Sequence, residues 1–148
     1  MSTSVYQEPY DDPCQPAQLK LAKRKLAKKG SKILVIDDDH LMCLGLEVRL
    51  KANCYNASFA HDAEFAISQA LTERPDLIIL DIGLPRADGY FVMRRLQAFP
   101  QLADVPIIVL TGNGGFTQER RCRDAGAKRF FEKPADIGDL LTAIGQLT

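Results

Sequence analysis

Apolar positions along the chain follow two patterns. Short unbroken runs, Ile33-Leu34-Val35-Ile36, Leu77-Ile78-Ile79-Leu80 and Ile107-Ile108-Val109-Leu110, are bounded by polar, Gly or Pro residues. They are too short for a lone helix and lack the alternation of a half-exposed strand, so they read as parallel strands buried on both faces. Between them lie longer stretches in which apolar residues recur at helical spacing. The first strand is predicted over Lys32 to Ile36, and the next helix carries Leu41, Leu44, Leu46, Val48 and Leu50, a subset of which faces the core, before ending near Ala52-Asn53. Tyr55 to Ala60 reads as a short, poor strand. Asp62 caps a helix running through Leu71, with Ala63, Phe65, Ala66, Ile67 and Ala70 available for its buried face. The third strand ends at Asp81, and Asp88-Gly89 opens a helix carrying Phe91, Val92, Met93 and Leu96.

Val105 to Leu110 forms the fourth strand, closed by Thr111-Gly112, and a polar helix from about Thr117 to Asp124 stops at Ala125-Gly126. Arg129 to Glu132 is a short fifth strand. The last helix, Asp136 to Leu147, carries Leu140, Leu141, Ile144 and Leu147. Five strands alternating with five helices predict an α/β fold, a doubly wound parallel sheet with right-handed crossovers.

Composition changes this picture mainly at the amino terminus. The formal net charge is zero, yet it is unevenly spread. Residues 1–16 hold three prolines and three acids (Glu8, Asp11, Asp12) but no base. Such a segment cannot bury enough apolar surface to order itself and is expected to be disordered. Residues 17–32 hold seven bases and no acid. Their Ala, Leu, Lys and Arg favour helix, although Leu21 and Lys23 break the stripe made by Leu19, Ala22 and Leu26. The expected organisation is an extension over residues 1–31, disordered and then basic and helix-prone, followed by one domain over 32–148. Cys14, Cys43, Cys54 and Cys122 form no CxxC and no metal-ligand spacing, and no signal peptide is visible. That points to a reducing, cytoplasmic location. No apolar run approaches the roughly 18–20 residues of a membrane span.

The candidate chemistry lies at strand ends. Asp37 and Asp38, Asp81 and Thr111 close three strands, and Lys133 closes another. In an open parallel sheet these ends share one edge, which is where such sheets build their sites. Two carboxylates about 4 Å apart repel by roughly 4 kcal/mol at an effective dielectric near 20, so one stays protonated unless a cation is present. An all-oxygen donor set with room for water suits Mg²⁺. Lys133 adds a positive charge on a long stem, and Thr111 a hydroxyl able to donate to an anion. Together these describe a phosphoryl-transfer site with Asp81 as a nucleophile that forms an acyl phosphate.

Four motifs in order, Ile33-Leu34-Val35-Ile36-Asp37-Asp38-Asp39, Asp81-Ile82-Gly83-Leu84-Pro85 with Asp88-Gly89, Leu110-Thr111-Gly112, and Phe130-Phe131-Glu132-Lys133-Pro134, resemble the receiver domain of two-component response regulators over about residues 32–148. The resemblance implies a flavodoxin-like (βα)5 fold with strand order 2-1-3-4-5. It also implies that Asp81 accepts a phosphoryl group from the phosphohistidine of a sensor histidine kinase or a histidine phosphotransfer protein. Asp38, Asp81 and the Gly83 carbonyl would hold Mg²⁺, for which Mn²⁺ can substitute, with Asp37 assisting through water. Thr111 and Lys133 would contact the phosphoryl oxygens, Phe130 would be the aromatic switch, and the Lys133-Pro134 bond would be cis. Gly83 and Asn113 occupy positions that tune phosphoryl lifetime in such proteins; Gly83 leaves one side open to water and Asn113 is able to orient it. Phe130 stands where many members carry tyrosine, which removes a hydroxyl.

Other readings are weaker. Asp39 reads as a helix-cap acid, His40 and His61 as surface or capping residues, and Gly112-Asn113-Gly114-Gly115 as a flexible loop rather than a phosphate-binding glycine motif. Asp81-Ile82-Gly83 lacks the second acid of a haloacid-dehalogenase-type phosphatase. The expectation is a self-phosphorylating and autodephosphorylating signalling module, not a metabolic enzyme, that switches conformation and acts on a downstream protein. The initiating methionine and the complete last helix lead to the expectation of a single-domain regulator acting through protein contacts, rather than a piece of a hybrid kinase, phosphorelay or larger regulator. Binding of nucleic acid or an acidic partner by the basic residues 17–32 is the alternative, with nucleic acid the less favoured; its mark would be strong salt dependence.

Overall fold

The computed structural model describes residues 30–148; the expectations for residues 1–29 lie outside the described residues. Five strands, β1 (Lys32–Ile36), β2 (Asn56–Ala60), β3 (Leu77–Leu80), β4 (Ile107–Thr111) and β5 (Arg129–Glu132), alternate with five helices, α1 (His40–Ala52), α2 (Ala63–Glu73), α3 (Gly89–Ala98), α4 (Phe116–Asp124) and α5 (Ile137–Leu147). Every strand pair is parallel and the order is β2-β1-β3-β4-β5. The apolar runs of β3 and β4 are buried along their whole length, whereas β2 and β5 at the edges are only partly buried. That is why Tyr55 to Ala60 looked poor as a strand.

Strand pleating sends alternate residues to two cores. Leu34, Ile36, Ile78, Leu80, Ile107 and Val109 face α2, α3 and α4. Ile33, Val35, Leu77, Ile79, Ile108 and Leu110 face α1 and α5. Register aligns Ile36 with Leu80 and Leu80 with Val109, so the residues just past β1 and β3 emerge side by side.

Four helices begin on an aspartate whose carboxylate accepts from a backbone amide of the first turn: Asp39 for α1, Asp62 for α2, Asp88 for α3 and Asp136 for α5. Asp39 thus has the capping role expected of it. The core-facing subset of α1 is now defined, and the buried face expected of α2 loses Phe65. In α1 the core-facing residues are Cys43, Leu46 and Leu50, while Leu41, Leu44 and Val48 are 81%, 58% and 66% exposed. Both sets have helical spacing, so the sequence carries two competing apolar stripes, and the helix's seat on the sheet selects the one containing the small thiol. Phe65 and Phe91 are likewise exposed, and Tyr90 takes the buried place in α3.

Candidate functional site at the carboxyl edge of the sheet

Asp37 follows β1 and is almost wholly buried. One of its oxygens accepts from the Asp39 amide at 2.9 Å and the other from Lys133 Nζ at 2.7 Å. Asp81 follows β3. Its Oδ1 accepts from the Gly83 amide at 2.8 Å and its Oδ2 from the same Lys133 Nζ at 3.0 Å. Asp38 is exposed, yet one carboxylate oxygen from each of Asp37, Asp38 and Asp81 lies within 4.8 Å of the others. Thr111, the buried last residue of β4, accepts from the Asn113 amide at 3.2 Å through Oγ1. All of these residues, with Asp39, Gly83, Gly112 and Asn113, line one cleft.

The local chain builds this edge tightly. Gly89 begins α3 against the Ile82 backbone, where a Cβ would collide, so α3 starts immediately beneath the loop that carries Gly83. The Lys133-Pro134 peptide is cis.

Burial pushes the Asp37 carboxyl above its ordinary range, outweighing the pull of Lys133 in the other direction. Burial alone would lower Lys133, but the hydrogen bonds it donates to Asp37 and Asp81 more than offset it and hold the ammonium above its ordinary value. One lysine thus pairs with two of the three clustered carboxylates, Asp37 and Asp81. An all-oxygen donor set with surplus negative charge fits a hard divalent cation of the Mg²⁺ type.

The structure therefore brings together Asp37, Asp38, Asp81, Gly83, Thr111, Asn113 and Lys133. Phe130 stands apart from them, half-buried against the core beneath α2, α3 and α4. Two groupings were not apparent in the sequence. His61 Nδ1 donates to the Asp37 carbonyl at 2.8 Å, and its ring stacks on His40 with centroids 3.9 Å apart. Tyr90 Oη meets Cys122 Sγ at 3.6 Å, under the guanidinium of Arg121. Each joins residues from different elements, so local pattern carries no sign of them.

A flavodoxin-like (βα)5 sheet with an acidic cluster at its carboxyl edge defines a class of phosphoryl-signalling modules. The chain belongs to the family of response regulator receiver domains, whose family model matches residues 33–145. It is 35% identical over 116 residues to the response regulator MprA of Mycobacterium avium (strain 104), covering 78% of this chain and 50% of that protein. The chain thus spans about half the length of the curated relatives it matches. Among solved structures, it is similar to the receiver domain of sensor histidine kinase PA1611 from Pseudomonas aeruginosa PAO1, which has a magnesium ion coordinated in its active-site cleft. That likeness has a TM-score of 0.73 and 29% identity, covering 80% of this chain and 97% of that one. The signal receiver domain of a DNA binding response regulator from Colwellia psychrerythraea 34H is also similar, with a TM-score of 0.72 and 27% identity over 79% of this chain and 97% of that one. Receiver domains of this family bind Mg²⁺ at the acidic site and interact with histidine kinases and downstream targets. Among the described residues, no helix is long and apolar enough to cross a membrane.

Proposed function

We propose that residues 32–148 form a receiver unit in which Asp81 accepts a phosphoryl group from the phosphohistidine of a sensor histidine kinase or histidine phosphotransfer protein. The observation that carries this reading is Lys133 Nζ bonded to Asp81 and Asp37 at once, with Asp38 beside them and Thr111 on the adjacent strand. Asp38, Asp81 and the Gly83 carbonyl would hold Mg²⁺ or Mn²⁺, with Asp37 assisting through water. Such a cation supplies charge neutralisation for the incoming phosphoryl oxygens and for the carboxylates themselves.

An Asp81 carboxylate oxygen attacks phosphorus, the donor's P–N bond breaks, and the imidazole leaves with that electron pair. Lys133, already beside Asp81, balances the added negative charge. The Thr111 hydroxyl accepts from Asn113 and so keeps its own proton for a phosphoryl oxygen. That contact draws the loop after β4 inward and gives Phe130 a reason to turn. The phosphoryl group supplies the differential interaction that a two-state switch needs. The acyl phosphate ends by attack of water. Gly83 leaves the approach open, and the Asn113 side-chain nitrogen Nδ2 lies 3.7 Å from where a Gly83 Cβ would stand, which supports a role in orienting that water and tuning the lifetime. The output is a changed surface read by a downstream protein in the cytoplasm, not turnover of a metabolite.

The reading is tested with acetyl phosphate and Mg²⁺, followed by intact-mass measurement. One added phosphoryl group is expected on the wild type and none on Asp81→Asn. Equal labelling of the two would refute the assignment.

A further inference from the structure

Four helices begin on a capping aspartate, but α4 starts on Gly115, which has no side chain to cap with. Three of the four residues between Thr111 and Phe116 are glycines, so little in this loop's own sequence holds it in one place. What covers the loop comes from β5. A Cβ added at Gly112 or Gly115 would meet nothing within 4 Å, whereas one added at Gly114 would overlap the Glu132 carboxylate. The glutamate therefore lies directly on the loop backbone, one residue before the N-cap of α4. Burial agrees, since Gly114 is half-buried between exposed Asn113 and exposed Gly115. Register pairs Glu132 with Thr111, and the Lys133 amide donates to the Thr111 carbonyl at 2.9 Å. The Glu132 backbone is thus fixed in the sheet beside Thr111, and pleating sends its side chain to the same face as Phe130, two residues back. A carboxylate is favoured beside the amino end of a helix, where the helix dipole is positive. Glu132 does for α4, from a neighbouring strand, what the aspartates do locally for the other helices.

We infer that Glu132 is a positioning residue for the switch. Its carboxylate clips the loop between β4 and α4 in the arrangement where Lys133 bridges Asp37 and Asp81, and it must let go when Thr111 draws that loop inward. The inference rests on the reading of Asp81 as acceptor and of Thr111 as the group that pulls the loop. Because the Glu132 backbone is held by the sheet, it does not follow the loop, and inward movement takes Gly114 out from under the carboxylate. Losing that contact opposes the phosphorylated arrangement. A ligand that needs one arrangement binds more weakly in proportion to how rarely the protein adopts it, so removing the clip tightens binding. Two substitutions remove it by different routes. Glu132→Ala deletes the carboxylate. Gly114→Ala evicts it, because the overlapping atoms are the far end of a flexible side chain, and Gly114 is not among the glycines at positive φ, so its backbone accepts alanine. Both routes break the same contact, so their effects do not add.

The test titrates beryllofluoride, a mimic of the phosphoryl group on aspartate, into the Mg²⁺-loaded protein and follows the Thr111 amide by NMR. Wild type, Glu132→Ala, Gly114→Ala and the double variant are compared. Each single variant should lower the midpoint at least about threefold, and the double variant should fall within about 1.5-fold of the stronger single one. Hydrogen exchange of the amides of residues 112–115, measured before beryllofluoride is added, should be faster in Glu132→Ala than in wild type. A residue of merely structural weight would lower the melting temperature without moving the midpoint, and that result overturns the inference. So do a raised midpoint in Glu132→Ala, single effects that multiply in the double variant, or unchanged exchange of the loop amides. If Gly114→Ala fails to fold, the midpoint and the loop exchange of Glu132→Ala decide. A wild type that takes up no beryllofluoride strikes the Asp81 reading and the coupling built on it, whereas uptake with unmoved midpoints strikes the Glu132 clip alone.

Discussion

Lys133 donates to Asp37 at 2.7 Å and to Asp81 at 3.0 Å, with its side chain only 22% exposed. Removing it leaves two buried carboxylates facing each other without a cation. In chelator, Lys133→Met should lose on the order of 2 kcal/mol, the scale of charged hydrogen bonds, read from urea denaturation at neutral pH. The two ends of the pair predict opposite pH limbs. The ammonium is held above its ordinary 10.5, so its stabilising contribution is complete below that pH and is lost as pH rises through the raised value. The Asp37 carboxyl is held above 3.8 by burial, so the fold binds its proton more tightly than the unfolded chain does. Metal-free stability should therefore gain from this group as pH falls through the raised value, the gain being complete below 3.8. Asp37→Asn should flatten that acid limb, and Lys133→Met the alkaline one, in midpoints measured against pH. A wild-type profile without either limb would contradict the electrostatic account.

At the scale of elements, Tyr90 and Cys122 tie α3 to α4 inside the core. Burial, helped by the Cys122 contact, pushes the Tyr90 phenol up to about 12, and burial also raises the Cys122 thiol. On the other face of the sheet, burial and then the nearby Asp37 push Cys43 up to about 11. Since the thiolate is the reactive form, neither Cys43 nor Cys122 should react with a maleimide at pH 8 until urea unfolds the domain. Peptide mapping checks this, and rapid native labelling of either would contradict it. The helix starts were legible because an aspartate cap is a local device: Asp62 caps as expected, and Asp88 and Asp136, at the expected helix starts, cap as well. The seat of α1 was not legible. Its stripes through Cys43, Leu46 and Leu50 and through Leu41, Leu44 and Val48 differ only in which one the sheet covers, a tertiary choice with no local signature.

Over the whole molecule, the sheet gathers Asp37, Asp81, Thr111 and Lys133 at one edge from four strands. These were readable in advance because a parallel sheet sends every strand end to one edge, so chemistry placed there is already juxtaposed. The His40–His61 stack and the Tyr90–Cys122 contact depend on how helices and loops are seated, and sequence spacing does not encode that. Because the donor carboxylates are assembled only in the folded state, Mg²⁺ should stabilise the entire domain. The gain is about 2.7 kcal/mol at a hundredfold excess over its dissociation constant, and it should vanish in Asp38→Ala. An undiminished rise in melting temperature in that variant would remove Asp38 from the ligand set. Phosphorylation of this domain comes down to one bond, the acyl phosphate on Asp81, and hydride reduction traps it. Borohydride converts an acyl phosphate at aspartate to homoserine, which peptide sequencing by mass spectrometry locates. After treatment with acetyl phosphate and Mg²⁺, homoserine is predicted at position 81 alone, with none when Mg²⁺ is chelated. Homoserine at any other aspartate, or its absence from position 81 in a protein that has gained a phosphoryl group, would rule out Asp81 as the acceptor.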